Sequence, residues 1–179
     1  MRPELTADIV RDALRYNPET GCFSWKERPR RDFNDDVTHG RWNTRYAGKI
    51  AGYATQHGYR VICIQNRRYY AHRLAWLYVT GKWPADLIDH KNSDRADNRF
   101  ENLRPATKSQ NAANSKLSVS STIGAKGVTE LPSGKYMAQI TVDGQHRYLG
   151  SYYSVAMASD AYKEAARTAF GEYVGECGS

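Results

Sequence analysis

The middle of the chain reads Asp89-His90-Lys91-Asn92-Ser93-Asp94-Arg95-Ala96-Asp97-Asn98-Arg99-Phe100-Glu101-Asn102-Leu103-Arg104, and Asn111 follows shortly after. The apolar residues on either side of this polar run predict a short strand over residues 87–90 and a second near 103–105. A helix from about 107 to 115 completes the pattern. Strand, polar loop, strand and helix in this order indicate an α+β fold whose loop carries chemically versatile side chains.

Four of these side chains match the needs of metal-assisted phosphodiester hydrolysis: a divalent ion, a base that activates water, and a scaffold. Asp89 offers a carboxylate and Asn111 an amide oxygen, which suit one Mg²⁺ or Mn²⁺ ion that keeps several waters. His90 points to the opposite face of the strand from Asp89, and its ordinary pKa of about 6.5 suits it to accept a proton. Asn102 is placed to brace the loop and fix the His90 ring.

A plainer interpretation of the same run stays open. Asp and Asn gather in loops because their side chains bond to nearby backbone groups, and one Asp-His pair is weak evidence. Composition alone favours this ordinary loop.

The charge of the chain points to a polyanionic partner. Lys and Arg number 26 against 19 Asp and Glu, which gives a net charge of +7. Such an excess favours nucleic acid, because basic side chains neutralise phosphates and release counterions. The 13 Tyr and four Trp add rings that can stack on bases. Basic charge alone is equally compatible with a merely soluble protein.

The cysteines and the hydropathy exclude several classes of protein. Cys22, Cys63 and Cys177 are far apart and form no CxxC pair, which argues against a structural zinc site and a disulfide framework. No apolar stretch approaches the roughly 20 residues of a membrane-spanning helix, and no signal-peptide core is present. We therefore expect a cytoplasmic protein of a reducing compartment, without a membrane partner.

Other elements of the first half follow from periodicity and turn residues. A helix over 5–16 is capped by Thr6 or Asp8, and residues 28–46 have little periodicity and are predicted to form an exposed loop. The remaining elements are a strand over 22–25, a hairpin of 59–64 with 68–71, and a helix over 72–80 that ends at Gly81.

Specific motifs surround the central run. They are Asn17-Pro18-Glu19-Thr20-Gly21-Cys22-Phe23-Ser24-Trp25, Tyr70-Ala71-His72-Arg73-Leu74-Ala75-Trp76, Ile88-Asp89-His90-Lys91-Asn92, Asp97-Asn98-Arg99-Phe100-Glu101-Asn102-Leu103-Arg104 and Ser109-Gln110-Asn111. Over roughly residues 5–115 the chain resembles the HNH endonuclease family of phage and homing nucleases.

The resemblance implies the ββα-metal fold and assigns roles to residues. His90 is then the catalytic base, Asn102 the catalytic scaffold, and Asp89 and Asn111 the metal ligands, although many relatives have a histidine where Asn111 stands. His72 is expected to be structural or to contact phosphate. The candidate contacts to the DNA backbone are Arg73, Arg95, Arg99 and Arg104.

The C-terminal part has a different pattern. Three strands, over residues 126–130, 135–142 and 146–150, precede an amphipathic helix over 154–170, which together predict a three-stranded antiparallel sheet packed on one helix. Residues 124–170 resemble the DNA-binding domain of plant ethylene-response factors (the Apetala type). The resemblance implies that the sheet enters the major groove. The proposed contact face comprises Lys126, Lys135, Tyr136, Gln139, Arg147 and Tyr148, and cross-strand pairing is the alternative explanation for its aromatic residues.

The sequence thus predicts a nuclease domain over residues 1–115, a linker over 116–123 and a DNA-binding domain over 124–179. The expected function is metal-dependent cleavage of double-stranded DNA by a monomer or homodimer, and nicking and homing enzymes are candidates for its mode of action. A phage or mobile element in a bacterial host is the expected source. The alternative is a non-enzymatic, sequence-specific DNA-binding regulator, and a structured-RNA binder is a more distant third.

Overall fold

The structure is a computed structural model that describes residues 4–115, 117 and 121–175. Its contacts divide the chain into two compact units, Met1–Pro105 and Ala106–Ser179. The predicted helix that carries Asn111 therefore groups with the second unit. Of the predicted linker, residues 116 and 118–120 lie outside the described residues, as does Cys177.

The first unit holds three helices and seven short strands among its described residues. The helices are α1 (Ala7–Ala13), α2 (Asp36–Tyr46) and α3 (Ala71–Thr80). The strands are β1 (Leu14–Asn17), β2 (Cys22–Trp25), β3 (Tyr53–Ala54), β4 (Arg60–Ile64), β5 (Arg67–Tyr70), β6 (Leu87–His90) and β7 (Leu103–Ala106). They form a β1-β2 hairpin, a β3-β4-β5 sheet and a β6-β7 pair.

The first helix begins where the sequence predicts and ends earlier. The Thr6 side chain accepts a hydrogen bond from the Ile9 amide and caps α1. The helix stops at Ala13 because Leu14–Asn17 pairs antiparallel with β2. Strand alternation then buries Leu14 and Tyr16 in the core. Tertiary pairing overrides the helical spacing that predicted a helix to residue 16.

The predicted loop over residues 28–46 is wrong. A 3-10 turn, Arg30–Asp32, leads into the 11-residue helix α2, whose first turn is capped by Asp35 accepting from the Thr38 amide at 2.7 Å. No residue of α2 is buried. The apolar stripe that normally identifies a helix in a sequence is therefore missing here.

Helix α3 is the centre of the first unit. Ala71, Leu74, Ala75 and Leu77 are buried on one side of it, and Gly81, in the left-handed region at φ 76°, ends it. The surrounding core contains buried residues from α1, both early strands and β4. This packing holds β6, which carries Asp89 and His90, against a fixed support.

The second unit matches its predicted elements closely. They are α4 (Lys108–Asn114), β8 (Val128–Glu130), β9 (Tyr136–Val142), β10 (Gln145–Tyr152) and α5 (Val155–Phe170). The antiparallel sheet has the order β10-β9-β8. Helix α5 buries Ala158, Ala166 and Phe170, and Ala138 and Ile140 are buried on β9. The predicted α+β class, with a small three-stranded sheet on one helix, is confirmed.

No helix in the described ranges is long and apolar enough to span a membrane.

Candidate active site

Strand β6 ends in two buried ionisable residues. Asp89 is 4% exposed and His90 is 5% exposed. The Arg104 guanidinium, on the neighbouring strand β7, donates to Asp89 Oδ2 from Nε at 3.0 Å and lies 2.9 Å from it through Nη2. This buried ion pair balances the carboxylate charge where water does not reach it.

Asn98 holds the His90 ring. Its Oδ1 lies 3.3 Å from His90 Nε2, while its Nδ2 donates to the Ala96 carbonyl at 3.0 Å. Burial lowers the pKa of His90, and the contact with Asn98 and the nearby Asp89 carboxylate oppose that shift. The imidazole is therefore neutral at neutral pH and able to accept a proton. The prediction that Asn102 fixes this ring is wrong, because the side chain that reaches Nε2 is Asn98.

Asn102 braces the loop between the two strands, as the sequence predicted. Its Oδ1 accepts from the Asn92 amide at 3.1 Å, and its Nδ2 donates to Asn92 Oδ1 at 3.0 Å and to the Asp97 carbonyl at 2.9 Å. Its carbonyl also accepts from the Lys91 amide at 2.9 Å. These bonds span the loop from end to end and fix the position of β6 relative to β7.

Two rings pack on His90: His72 from α3 and Tyr59, the residue immediately before β4. The His72 ring meets the His90 ring edge-on with centroids 5.0 Å apart, and Tyr59 lies 5.4 Å from His72. Burial, together with the neighbouring His90 and the charge of Arg73, lowers the pKa of His72 to about 3. Its Nδ1 has no hydrogen-bond partner among the described residues. His72 is thus an uncharged packing residue against His90.

The N-terminal hairpin supports the same loop. The Tyr16 hydroxyl donates to the Asn98 carbonyl at 2.7 Å, and burial raises the pKa of Tyr16 to about 12, so the phenol remains a donor. Gly21, at φ 69°, lies so close to the backbone of Asn98 and Arg99 that a Cβ there would collide with it. The β1-β2 turn therefore touches the residue that holds His90.

Replacing Tyr16 with phenylalanine is expected to cost about 1–3 kcal/mol of unfolding free energy, because the buried Asn98 carbonyl loses this donor. Urea unfolding of wild type and Tyr16→Phe measures the difference. Tyr69→Phe, on β5 and without a hydroxyl hydrogen bond among the described residues, is the control. Equal losses of unfolding free energy in both variants would show that the hydrogen bond of the Tyr16 hydroxyl does not stabilise the fold.

Asp97 and Arg99 tie the loop together electrostatically. Arg99 Nη2 lies 2.7 Å from Asp97 Oδ2, and the Asn92 side chain donates to the same oxygen at 2.9 Å. The hydrogen bond from Arg99 is the main cause that lowers the pKa of Asp97 to about 2. The ordinary pKa is 3.8, so the folded state favours the ionised carboxylate.

We expect Asp97 to contribute its full stabilisation above about pH 4. This contribution is lost as the pH falls from about 4 to about 2, because the Asp97 carboxylate is then protonated in the folded chain as well as in the unfolded chain. Unfolding free energies of wild type and Asp97→Asn, measured across this range, should converge in acid. A gap that stays constant from pH 7 to pH 2.5 would contradict this prediction.

The four arginines predicted to contact DNA differ in exposure and in their partners within the chain. Arg95 is exposed, stacks over Tyr59 at 5.0 Å and donates to the His57 carbonyl. Arg73 donates to the Asp86 carbonyl, and Arg99 is engaged with Asp97 and Glu101. Arg104 is 8% exposed and paired with Asp89, which rules against its predicted role as a phosphate contact.

The six predicted DNA contacts of the second unit do not share one face. Direct cross-strand partners lie on the same side of a sheet. Tyr148 pairs with Gln139 on the exposed side, whereas Arg147 pairs with Ile140 on the side that faces α5. Tyr136 packs with the buried Ala138, also on the α5 side. The single contact face is therefore wrong for Tyr136 and Arg147, because strand alternation separates them from Gln139.

Lys126, Lys135 and Asn111 complete the predicted set. Lys126 donates to the Ala113 carbonyl at 2.9 Å, and the Lys135 ammonium lies 4.6 Å from the Tyr153 ring. Asn111 lies in α4, a helix that opens with a capping box between Thr107 and Gln110. It belongs to the second unit, while Asp89 and His90 belong to the first.

The oxygen donors predicted for a metal are chemically suitable. No group of three or more His, Cys, Asp or Glu that could hold a metal ion occurs among the described residues. A carboxylate and an amide oxygen nevertheless match the hard ligands that Mg²⁺ takes, since that ion retains waters for its other positions.

The sequence pattern did not reveal the roles of Asn98, Asn92 and Tyr16. Asn98 is 2% exposed and occurs in the motif Asp97-Asn98-Arg99, where it looks like one more polar loop residue. Its distance to His90 depends on how the loop folds back. A buried polar side chain within a hydrophilic loop is not visible in residue spacing.

Comparison with known proteins supports the central motif. Residues 69–113 match a family model described as HNH endonuclease. An uncharacterized HNH endonuclease of Acanthamoeba polyphaga mimivirus is 30% identical over 104 residues, which cover 57% of this chain and 54% of that protein. The chain thus spans about half the length of this relative. No solved structure matches significantly. The segment that carries Asp89, His90 and Asn102 therefore lies within the part of the chain that is similar to HNH endonucleases.

Proposed function

We propose that this protein is a metal-dependent endonuclease that hydrolyses phosphodiester bonds of duplex DNA. The observation that carries the proposal is a buried His90, held by Asn98 and adjacent to Asp89, within the segment that matches the HNH endonuclease family. A net charge of +7 favours a nucleic acid as substrate.

The hydrogen bonds of Asn98 select the tautomer of His90. Because Asn98 Nδ2 donates to the Ala96 carbonyl, its Oδ1 faces the ring, and an amide oxygen only accepts. The His90 proton therefore resides on Nε2, and Nδ1 carries the lone pair. In the proposed reaction Nδ1 takes a proton from water as the water oxygen bonds to phosphorus. The bond between phosphorus and the leaving sugar oxygen breaks, and that oxygen is protonated by solvent.

Asp89 and Asn111 are the proposed ligands of one Mg²⁺ or Mn²⁺ ion, which when bound offsets negative charge on the phosphate and the leaving oxygen. Arg104 keeps the Asp89 carboxylate in place through two contacts with Oδ2. Asn102 acts through the loop that it closes, and we class it as a positioning residue.

We propose that the second unit contributes DNA affinity, which is the role that the sequence pattern of residues 124–170 predicts. Gln139 and Tyr148 lie on the exposed side of its sheet, and Tyr148 is 65% exposed. Alternate residues of a sheet can place such side chains at base edges in the major groove. Lys135, immediately before β9, adds positive charge beside this surface.

Conversion of supercoiled plasmid to nicked or linear DNA tests the proposal. Wild-type protein is expected to cut with Mg²⁺ or Mn²⁺ and to stop when EDTA is added. Nicked circles alone would indicate that one site cuts one strand, and direct linearisation would indicate paired action by two copies. A preparation that binds duplex DNA and leaves it intact with either ion would favour the non-enzymatic regulator instead.

A further inference from the structure

We propose that α2 is a DNA-reading helix whose outer face, defined as Val37, Gly40, Arg41, Thr44 and Arg45, enters the major groove of the substrate. This inference rests on the proposed function in that it takes duplex DNA as the partner. It concerns recognition and not cleavage. It also assigns a role to a segment that lies outside the family match at residues 69–113.

The inner face of α2 fixes the helix without burying it. The Trp42 ring meets the Trp25 ring edge-on at 5.8 Å. The Asn43 side chain accepts from the Arg28 amide and donates to the Arg28 carbonyl, both at 3.0 Å. The Arg28 guanidinium lies 4.9 Å from the Phe33 ring and 5.2 Å from Trp42. The helix is thus oriented by specific contacts, and its other face points to solvent.

No contact among the described residues explains the glycine at position 40. It stands in the middle of α2 with an ordinary helical backbone, and a Cβ there would meet nothing within 4 Å. Glycine is the poorest helix former after proline, so a side chain would improve the helix at no steric cost. A glycine at such a position is expected where another backbone approaches closely. The neighbouring Val37, 66% exposed, likewise has an apolar side chain that the fold leaves uncovered.

The charge of the outer face is complementary to phosphate. Arg41 has no ion pair or hydrogen bond through its side chain within the described part of the chain, and Arg45, one turn later, contacts the Tyr46 ring at 5.3 Å. The nearby acids are engaged elsewhere. Asp32 pairs with Arg28, Asp36 with Arg30, and Asp35 caps the helix.

These features together favour DNA over a protein partner. The major groove is wide enough to admit an α-helix, and small or apolar side chains there contact base edges and thymine methyl groups. Two arginines one turn apart can reach the phosphates or guanines that line the groove. A protein-docking helix would instead present a continuous apolar stripe, and this face has Val37 alone as a large apolar residue.

Binding of the full-length chain to duplex oligonucleotides, in EDTA so that no cutting occurs, tests the charge of the face. The Arg41→Ala/Arg45→Ala variant is expected to lose at least tenfold in affinity and to show a shallower salt dependence. The control is Arg15→Ala/Arg167→Ala, which removes the same charge from exposed positions elsewhere and should lose less than threefold. Equal losses in the two double variants would overturn the proposal.

Substitution of Gly40 gives a second test, in which a loss of DNA binding can be distinguished from a folding defect. Gly40→Ala and Gly40→Leu are expected to raise or preserve the thermal midpoint, because both are better helix formers in open space. Gly40→Leu should nevertheless bind duplex DNA at least tenfold more weakly, and sites selected from a randomised duplex pool should lose preference at a few adjacent base pairs. Unchanged affinity and site preference in Gly40→Leu would overturn the proposal, as would tighter binding of the wild type to structured RNA or no duplex binding at all.

Failure of this proposal is distinguishable from failure of the nuclease assignment. A wild-type protein that binds duplex DNA through Arg41 and Arg45 but never cuts it contradicts the nuclease and leaves the helix assignment intact. If the wild type cuts DNA and the α2 variants bind duplex DNA as tightly as the wild type does, the helix assignment is wrong and the nuclease assignment stands.

Discussion

Replacement of His90 with alanine is expected to reduce DNA cleavage by about 10²–10⁴-fold while duplex binding persists, because general base catalysis contributes on that scale. The His90 ring is 5% exposed and its Nε2 faces Asn98, and Nδ1 is the atom proposed to take the proton from water. Single-turnover cleavage with saturating protein isolates the chemical step from binding. Affinity in EDTA, measured on the same preparations, shows whether the fold and the DNA surface survive.

His57→Ala is the matched control for this experiment. His57 lies in the same unit, is exposed, and its side chain contacts Gln56. It should cut at close to the wild-type rate. A cleavage rate in His90→Ala within threefold of wild type would remove His90 from the mechanism, whatever the control does. Comparable losses in both variants would point to general damage.

Replacement of Arg104 with methionine is expected to lower the unfolding free energy by about 3–5 kcal/mol, since it withdraws the guanidinium from a buried carboxylate. Asp89 and Arg104 side chains are 5% and 9% exposed, so water cannot compensate. Urea unfolding monitored by tryptophan fluorescence measures the change. Arg99→Met is the comparison: that guanidinium is 40% exposed, and surface pairs of its kind are worth about 0–1 kcal/mol.

A double variant separates stability from chemistry at this pair. Asp89→Asn removes the charge that Arg104 balances, so Asp89→Asn/Arg104→Met should recover much of the stability lost in Arg104→Met. Cleavage should stay absent, because Asp89 is the proposed carboxylate ligand of the metal. A double variant that is both stable and active would exclude Asp89 from the site.

Elements with strong local signals are predictable from this sequence. Helix α3 has an apolar stripe and Gly81 at its end, and the β4-β5 hairpin has Gln65 and Asn66 in the positive-φ conformation of a tight turn. The three strands and the helix of the second unit follow the same rules. In each case the pattern of apolar residues already states which side is buried.

Elements fixed by contacts between distant residues are not predictable in this way. Helix α2 is not predicted from the sequence, because aromatic and arginine contacts at the surface hold it in place of an apolar stripe. The end of α1 is decided by pairing with β2. In the site, the motif locates Asp89 and His90 correctly as neighbours on a strand, whereas the roles of Asn98 and Arg104 depend on distances across the loop.

The N-terminal hairpin contacts the loop that contains Asn98, so the structure of that loop depends on residues outside the matched segment. Tyr16 donates to the Asn98 carbonyl, and Gly21 packs against the same backbone, although both lie far upstream of residues 69–113. A fragment limited to the matched segment would carry every residue of the motif and lack the support that positions Asn98. The segment that matches the HNH family is consequently not structurally independent in this protein, and transferring it to another scaffold would require transferring the β1-β2 hairpin as well.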